Sequence, residues 1–133
     1  MKANPIVWFE IYVQDMARAK TFYETVFQVA LEQLTPPPAP EGAPSVGEME
    51  LWSFPMSPQD YGAPGALVHR EGVSSGGGGT LVYFSCDDCA VEAARAAEAG
   101  GQIVRAKMPI GEYGFIAIVN DTEGNRIGLH SMQ

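Results

Sequence analysis

The sequence predicts an α+β fold: two βαβββ modules in one chain, forming an open, cup-shaped mixed sheet with helices on the convex side. Three observations point to it. The stretch Ile6–Val13 alternates like a strand and then gives way, after Asp15, to apolar residues at helical spacing. The same sequence of patterns restarts at Leu81 and passes Asp87-Asp88 into a second helix. The chain closes on Gly114–His130, where the turn cluster Asn120–Asn125 separates two β-forming runs, a β-hairpin. Placing Asp15 over Asp88, an offset of 73 residues, lays Trp8 on Leu81, Phe9 on Val82, Ile11 on Phe84 and Leu31 on Val104. A four-stranded sheet with one helix cannot bury both of its faces, so two such halves must share a cleft on the side away from the helices.

Each element has its own reason. After Asp15, Met16, Ala19, Phe22, Tyr23, Val26, Phe27 and Ala30 recur at helical spacing, and the helix is expected to end near Gln28. Leu31–Leu34 reads as a short strand. Thr35–Ser45 holds five prolines and little that is apolar, so it is expected to be an exposed loop or a mobile flap. Glu48–Phe54 and Ala66–His69 complete the first set of strands. The run 72–79, rich in Gly and Ser, reads as a linker, because it lacks the lysine and the glycine spacing of a phosphate loop. The whole of 1–133 is thus expected to be one domain, with modules of about 1–70 and 80–133. In the second module Leu81–Cys86 is a strand, Cys89–Ala99 an alanine-rich helix stopped by Gly100-Gly101, and Ile103–Lys107 the strand before the hairpin.

Composition narrows the partners. Sixteen acidic against eight basic residues give a net charge of −8, which disfavours nucleic acid, since a phosphate-binding surface needs clustered Lys and Arg. The apolar runs are too short to span a bilayer and no signal-like segment opens the chain, so a cytoplasmic protein without a membrane partner is expected. Cys86 and Cys89 form a lone C-x-x-C; without a second ligand pair they read as small buried hydrophobes.

Strand parity defines the cleft. With Val7, Phe9, Ile11 and Val13 under the helices, Trp8, Glu10 and Tyr12 face the cup, joined by Leu81, Tyr83 and Ser85 and by Arg126, Gly128 and His130. Aromatic walls with a few polar groups suit a small molecule. The candidate ligand-binding residues are therefore Trp8, Tyr12, Tyr83, Ser85, Arg126 and His130. Glu10, a carboxylate in mid-strand, is the candidate general base. Its structural alternative is a bond to Arg126 or Tyr83. Trp8 and Trp52 can equally be core aromatics, and the facing of His69 stays open. Glu112-Tyr113 reads as a loop at the cleft mouth.

The stretches FEIYVQDMARAKTFYETVF (9–27), VYFSCDD (82–88), AAEAGG (96–101) and IGEYGFIAIVNDTEGNRIGLHS (110–131) resemble the vicinal oxygen chelate superfamily of glyoxalase I, bleomycin-resistance proteins and extradiol dioxygenases. The resemblance implies a metal ligand on the first strand of each module and a Glu on the last. Those positions here hold Trp8, Leu81 and Gly128, with the fourth somewhere in Ala66–His69, so no metal cofactor is expected. An atypical site from Glu10, His69 and His130 stays open. The resemblance also implies a homodimer. Three functions compete: a metal-free binder of a small organic molecule, a metal-dependent lyase or dioxygenase, and a metal-free isomerase or epimerase using Glu10 as base.

Overall fold

A computed structural model describes residues 4–36, 41–42 and 48–133. Among the described residues, eight strands form one mixed sheet in the order β2-β3-β4-β1-β5-β8-β7-β6, open at both ends. They are β1 (Ile6–Tyr12), β2 (Glu32–Leu34), β3 (Met49–Ser53), β4 (Gly65–Arg70), β5 (Thr80–Ser85), β6 (Gln102–Pro109), β7 (Phe115–Asn120) and β8 (Arg126–Ser131). Helix α1 (Met16–Phe27) follows β1 and α2 (Cys89–Glu98) follows β5, so the order βαβββ occurs twice, as the pattern predicts. A short 3-10 turn, Gly111–Tyr113, is an addition to the second half.

The caps fall where the sequence puts them. Asp15 accepts the Arg18 amide at 3.0 Å, and Asp88 accepts that of Ala90 at 3.0 Å. Helix α1 stops at Gln28, which takes a left-handed φ of 53°. Helix α2 ends at Glu98 with Ala99 as its C-cap, and Gly100 follows directly, its φ of 101° suiting a residue without a Cβ. The hairpin turn is tied by Asp121, whose carboxylate accepts the amides of Glu123 and Asn125, both at 2.8 Å. Of the predicted loop Thr35–Ser45, residues 37–40 and 43–45 lie outside the described residues.

Two layers of core sit on opposite faces of the sheet. On the helix side, Val13, Met16, Leu31 and Leu67 pack with Ile11, Tyr23, Trp52 and Phe54, and Cys89, Ala93, Ala117, Val119 and Leu129 pack with Phe84 and Cys86. Both cysteines are free; burial, with Glu92 adding to it, pushes the Cys86 thiol up to about 12. On the other face, Leu51, Ala66 and Val68 pack with Trp8, Tyr12, Leu34 and Met49. The predicted parity of β1 therefore holds: Ile11 lies under α1 while Trp8 and Tyr12 lie opposite. Trp52 joins the helix side, where the Lys20 ammonium stands 3.4 Å above its ring.

Candidate functional site

The centre of the concave face is the seam between the modules, where β1 and β5 run antiparallel. Glu10 pairs there with Leu81, and Trp8 with Tyr83. A carboxylate at this point is costly unless hydrogen-bonded. Its partners come from its own strand, because residues two apart project from the same face. Trp8 Nε1 donates to Glu10 Oε2 at 3.2 Å, and the Tyr12 hydroxyl donates to Oε1 at 2.7 Å. Burial raises the Glu10 pKa above its ordinary value, against the pull of the Tyr12 and Trp8 hydrogen bonds and the Arg70 charge. Burial likewise raises Tyr12 and Tyr83, with the nearby Glu10 charge adding to both, so both stay neutral phenols.

Tyr83 lies across the neighbouring strand. A Cβ built on Gly128 would meet the Tyr83 ring at 2.3 to 2.7 Å, so the ring occupies the space that any side chain at position 128 would need. Register also settles the fourth position that the sequence left open. Gly128 pairs with Tyr83 and Ala66 pairs with Glu10 in the equivalent parallel ladders, so Ala66 is the counterpart of Gly128. The four positions are Trp8, Ala66, Leu81 and Gly128, none of which can hold a divalent cation. Among the described residues, no group of three or more His, Cys, Asp or Glu side chains is placed to hold a metal ion. The residues present do not fit the group.

The candidate residues divide into two sets. Trp8, Glu10, Tyr12 and Tyr83 are contiguous. Ser85 and His130 pair with each other two residues beyond Tyr83 on β5, about 7 Å from it at the usual strand rise and four residues from Leu81, the partner of Glu10. There the His130 ring is tied to the Tyr113 carbonyl through Nε2 at 2.6 Å. Arg126 is exposed and donates to Asn120 Oδ1 at 3.5 Å, so the expected Glu10 partners, Arg126 and Tyr83, give way to Trp8 and Tyr12. His69 turns to the helix side, its Nδ1 2.9 Å from the Val13 carbonyl oxygen. Glu10, His69 and His130 are therefore not brought together. Two residues escaped the sequence reading. Arg70 extends the concave row Ala66, Val68 by one step, and its charge bears on Glu10, Tyr12 and Tyr83. Arg105 pairs with Ile118, itself opposite Gly128, and bears on Tyr83.

A family model described as Glyoxalase/Bleomycin resistance protein/Dioxygenase superfamily matches residues 5–129. The chain belongs to this superfamily. Among solved structures, this superfamily member is similar to Streptomyces coelicolor methylmalonyl-CoA epimerase in complex with 2-nitronate-propionyl-CoA. That likeness has a TM-score of 0.64 at 16% identity, covering 96% of this chain and 94% of that one. A hypothetical protein from Bacillus halodurans C-125 gives 0.67 at 14% identity, covering 99% and 96%. Methylmalonyl-CoA epimerase from Mycobacterium tuberculosis gives 0.65 at 15%, covering 97% and 88%. At these identities the likeness is one of fold. No curated protein matches the sequence significantly. No helix among the described residues is long and apolar enough to cross a membrane.

Proposed function

We propose that this glyoxalase-superfamily chain binds a small organic molecule on its concave face without a metal ion. The observation that carries the reading is the row Trp8–Glu10–Tyr12 facing Tyr83: a half-buried carboxylate framed by aromatic rings, where superfamily metal enzymes are expected to keep ligands. The aromatic faces supply apolar area and the carboxylate fixes orientation. Trp8 provides the test, because Trp52 lies on the opposite face and can be removed. In a Trp52→Phe chain treated with chelator, acyl-CoA thioesters and aromatic acids are titrated while Trp8 emission is followed. A saturable change is expected. No response from any compound, or a response that appears only on adding a divalent metal, would refute the reading.

The second reading is a metal-free isomerase or epimerase with Glu10 as base, supported by the raised pKa of that carboxyl. Two of the similar structures are methylmalonyl-CoA epimerases. Its test is exchange of the α-hydrogen of methylmalonyl-CoA with deuterated solvent. Exchange should be lost in Glu10→Gln, and its absence from the unaltered protein would leave binding alone. A metal-dependent lyase or dioxygenase finds no support in Trp8, Ala66, Leu81 and Gly128.

A further inference from the structure

The concave face carries a charge pattern opposite to that of the whole chain. The net charge is −8, yet Arg70, Arg105 and Arg126 all occupy concave strand positions, while Arg18 and Arg95 lie on α1 and α2. Arg70 pairs with Met49, which packs in the concave apolar cluster; Arg105 pairs with Ile118; and Arg126 shares the face of Gly128. Among the described residues, the strand carboxylates on this face are Glu10, already bonded to Trp8 and Tyr12, and Glu32 on the edge strand β2.

Two of these guanidiniums have weak, uncharged partners. Arg105 donates to the Met108 sulfur at 3.3 Å, and Arg126 reaches Asn120 only at 3.5 Å. A guanidinium has five N–H donors arranged to match a carboxylate or phosphate. Arg105 stands in the cross-strand row Tyr83–Gly128–Ile118, with Arg126 two residues from Gly128 on the same face; the charges of Arg70 and Arg105 bear on Tyr83, and those of Arg70 and Arg126 on Tyr12. Arg70, two residues from Val68 and paired with Met49, borders the apolar wall of Leu51, Val68 and Trp8. We infer that the molecule taken by the cup is an organic anion, a carboxylate or phosphate ester, with its charge met by Arg70, Arg105 and Arg126 and its apolar body against Trp8, Leu51 and Val68. This rests on reading the cup as a small-molecule site.

Two dyes of the same ring system separate the two ideas: the anion 8-anilinonaphthalene-1-sulfonate and the neutral N-phenyl-1-naphthylamine. Each is titrated by fluorescence into the full chain, into Arg105→Gln/Arg126→Gln, and into Arg95→Gln as an exposed control on α2, with circular dichroism confirming the fold. The anion should bind the double variant at least about tenfold more weakly, as loss of charge-assisted hydrogen bonds implies. The neutral dye should change by less than about twofold, and Arg95→Gln should alter neither. Displacement of the anion by inorganic phosphate rather than acetate would assign a phosphate head group, and the reverse a carboxylate. Equal anion affinity in the parent and double variant, or an equal loss for both dyes, overturns the anion inference while leaving the cup a binding site. Binding of neither dye overturns the cup reading and the inference with it.

Discussion

Replacing Glu10 by Gln and by Leu separates its charge from its hydrogen bonds. Both partners of the carboxylate are donors, Trp8 Nε1–H and Tyr12 O–H. A Gln at this position offers one acceptor oxygen to Trp8, and its amide can donate to a Tyr12 hydroxyl that turns to accept, so both neighbours stay bonded. A Leu leaves both donors unpaired. Trp8 and Tyr12 are only half-buried, which puts each loss at the low end, about 1 kcal/mol, or roughly 2 kcal/mol for the pair relative to Glu10→Gln. The pH dependence carries a second signature. Burial raises the folded-state pKa above the ordinary 4.5, so between the two values the native protein binds more protons than the unfolded chain. The contribution of Glu10 is fully present below the unfolded pKa and is lost as pH rises through the folded one. Urea unfolding followed by circular dichroism, at about pH 4 and about pH 8, should show the parent losing stability relative to Glu10→Gln as pH rises. A constant gap between parent and Glu10→Gln would refute the raised carboxyl. Equal stability of the Gln and Leu variants at about pH 8 would refute the two hydrogen bonds.

Gly128→Ala should destabilise the fold by roughly 1–3 kcal/mol, since its Cβ enters the Tyr83 ring; a urea midpoint unchanged from the parent would contradict that contact. Protein grown in metal-supplemented medium should carry no stoichiometric divalent metal, and about one equivalent of Zn, Ni, Mn or Fe per chain by elemental analysis would defeat the expectation. The open edges at β2 and β6 favour a homodimer, so light scattering should give about twice the chain mass of 14.3 kDa. A mass near that of one chain would count against it.

Strand parity is a property of backbone geometry, and this is why the two faces of β1, β5 and β8 were legible from alternation alone. The caps were legible because an Asp before a helical run has one dominant use. The partners of Glu10 were harder, since the sequence invites a search for a distant cation rather than for the indole and phenol two residues either side. Arg70 was missed because reading the strand only to His69 cut the concave row one residue short. Arg105 was missed because β6 shifts register between Ile103 and Arg105 and again before Met108, so no parity could be carried along it.

The antiparallel seam also sets the symmetry of the concave face. Glu10 and Tyr83 are equivalent under the 73-residue offset, as are Trp8 and Leu81. The pairing of Trp8 with Tyr83 and Glu10 with Leu81 therefore places a pseudo-twofold axis at Phe9 and Val82. Were the modules separate, identical subunits, both walls would have to carry the same side chains, and any object seated on the axis would meet the same group twice. Joined in one polypeptide, the walls are released from that identity. One presents a carboxylate between an indole and a phenol, the other a phenol lying over a bare glycine. A surface so divided offers an unsymmetrical molecule one preferred orientation, where a symmetric pair would offer two equivalent ones.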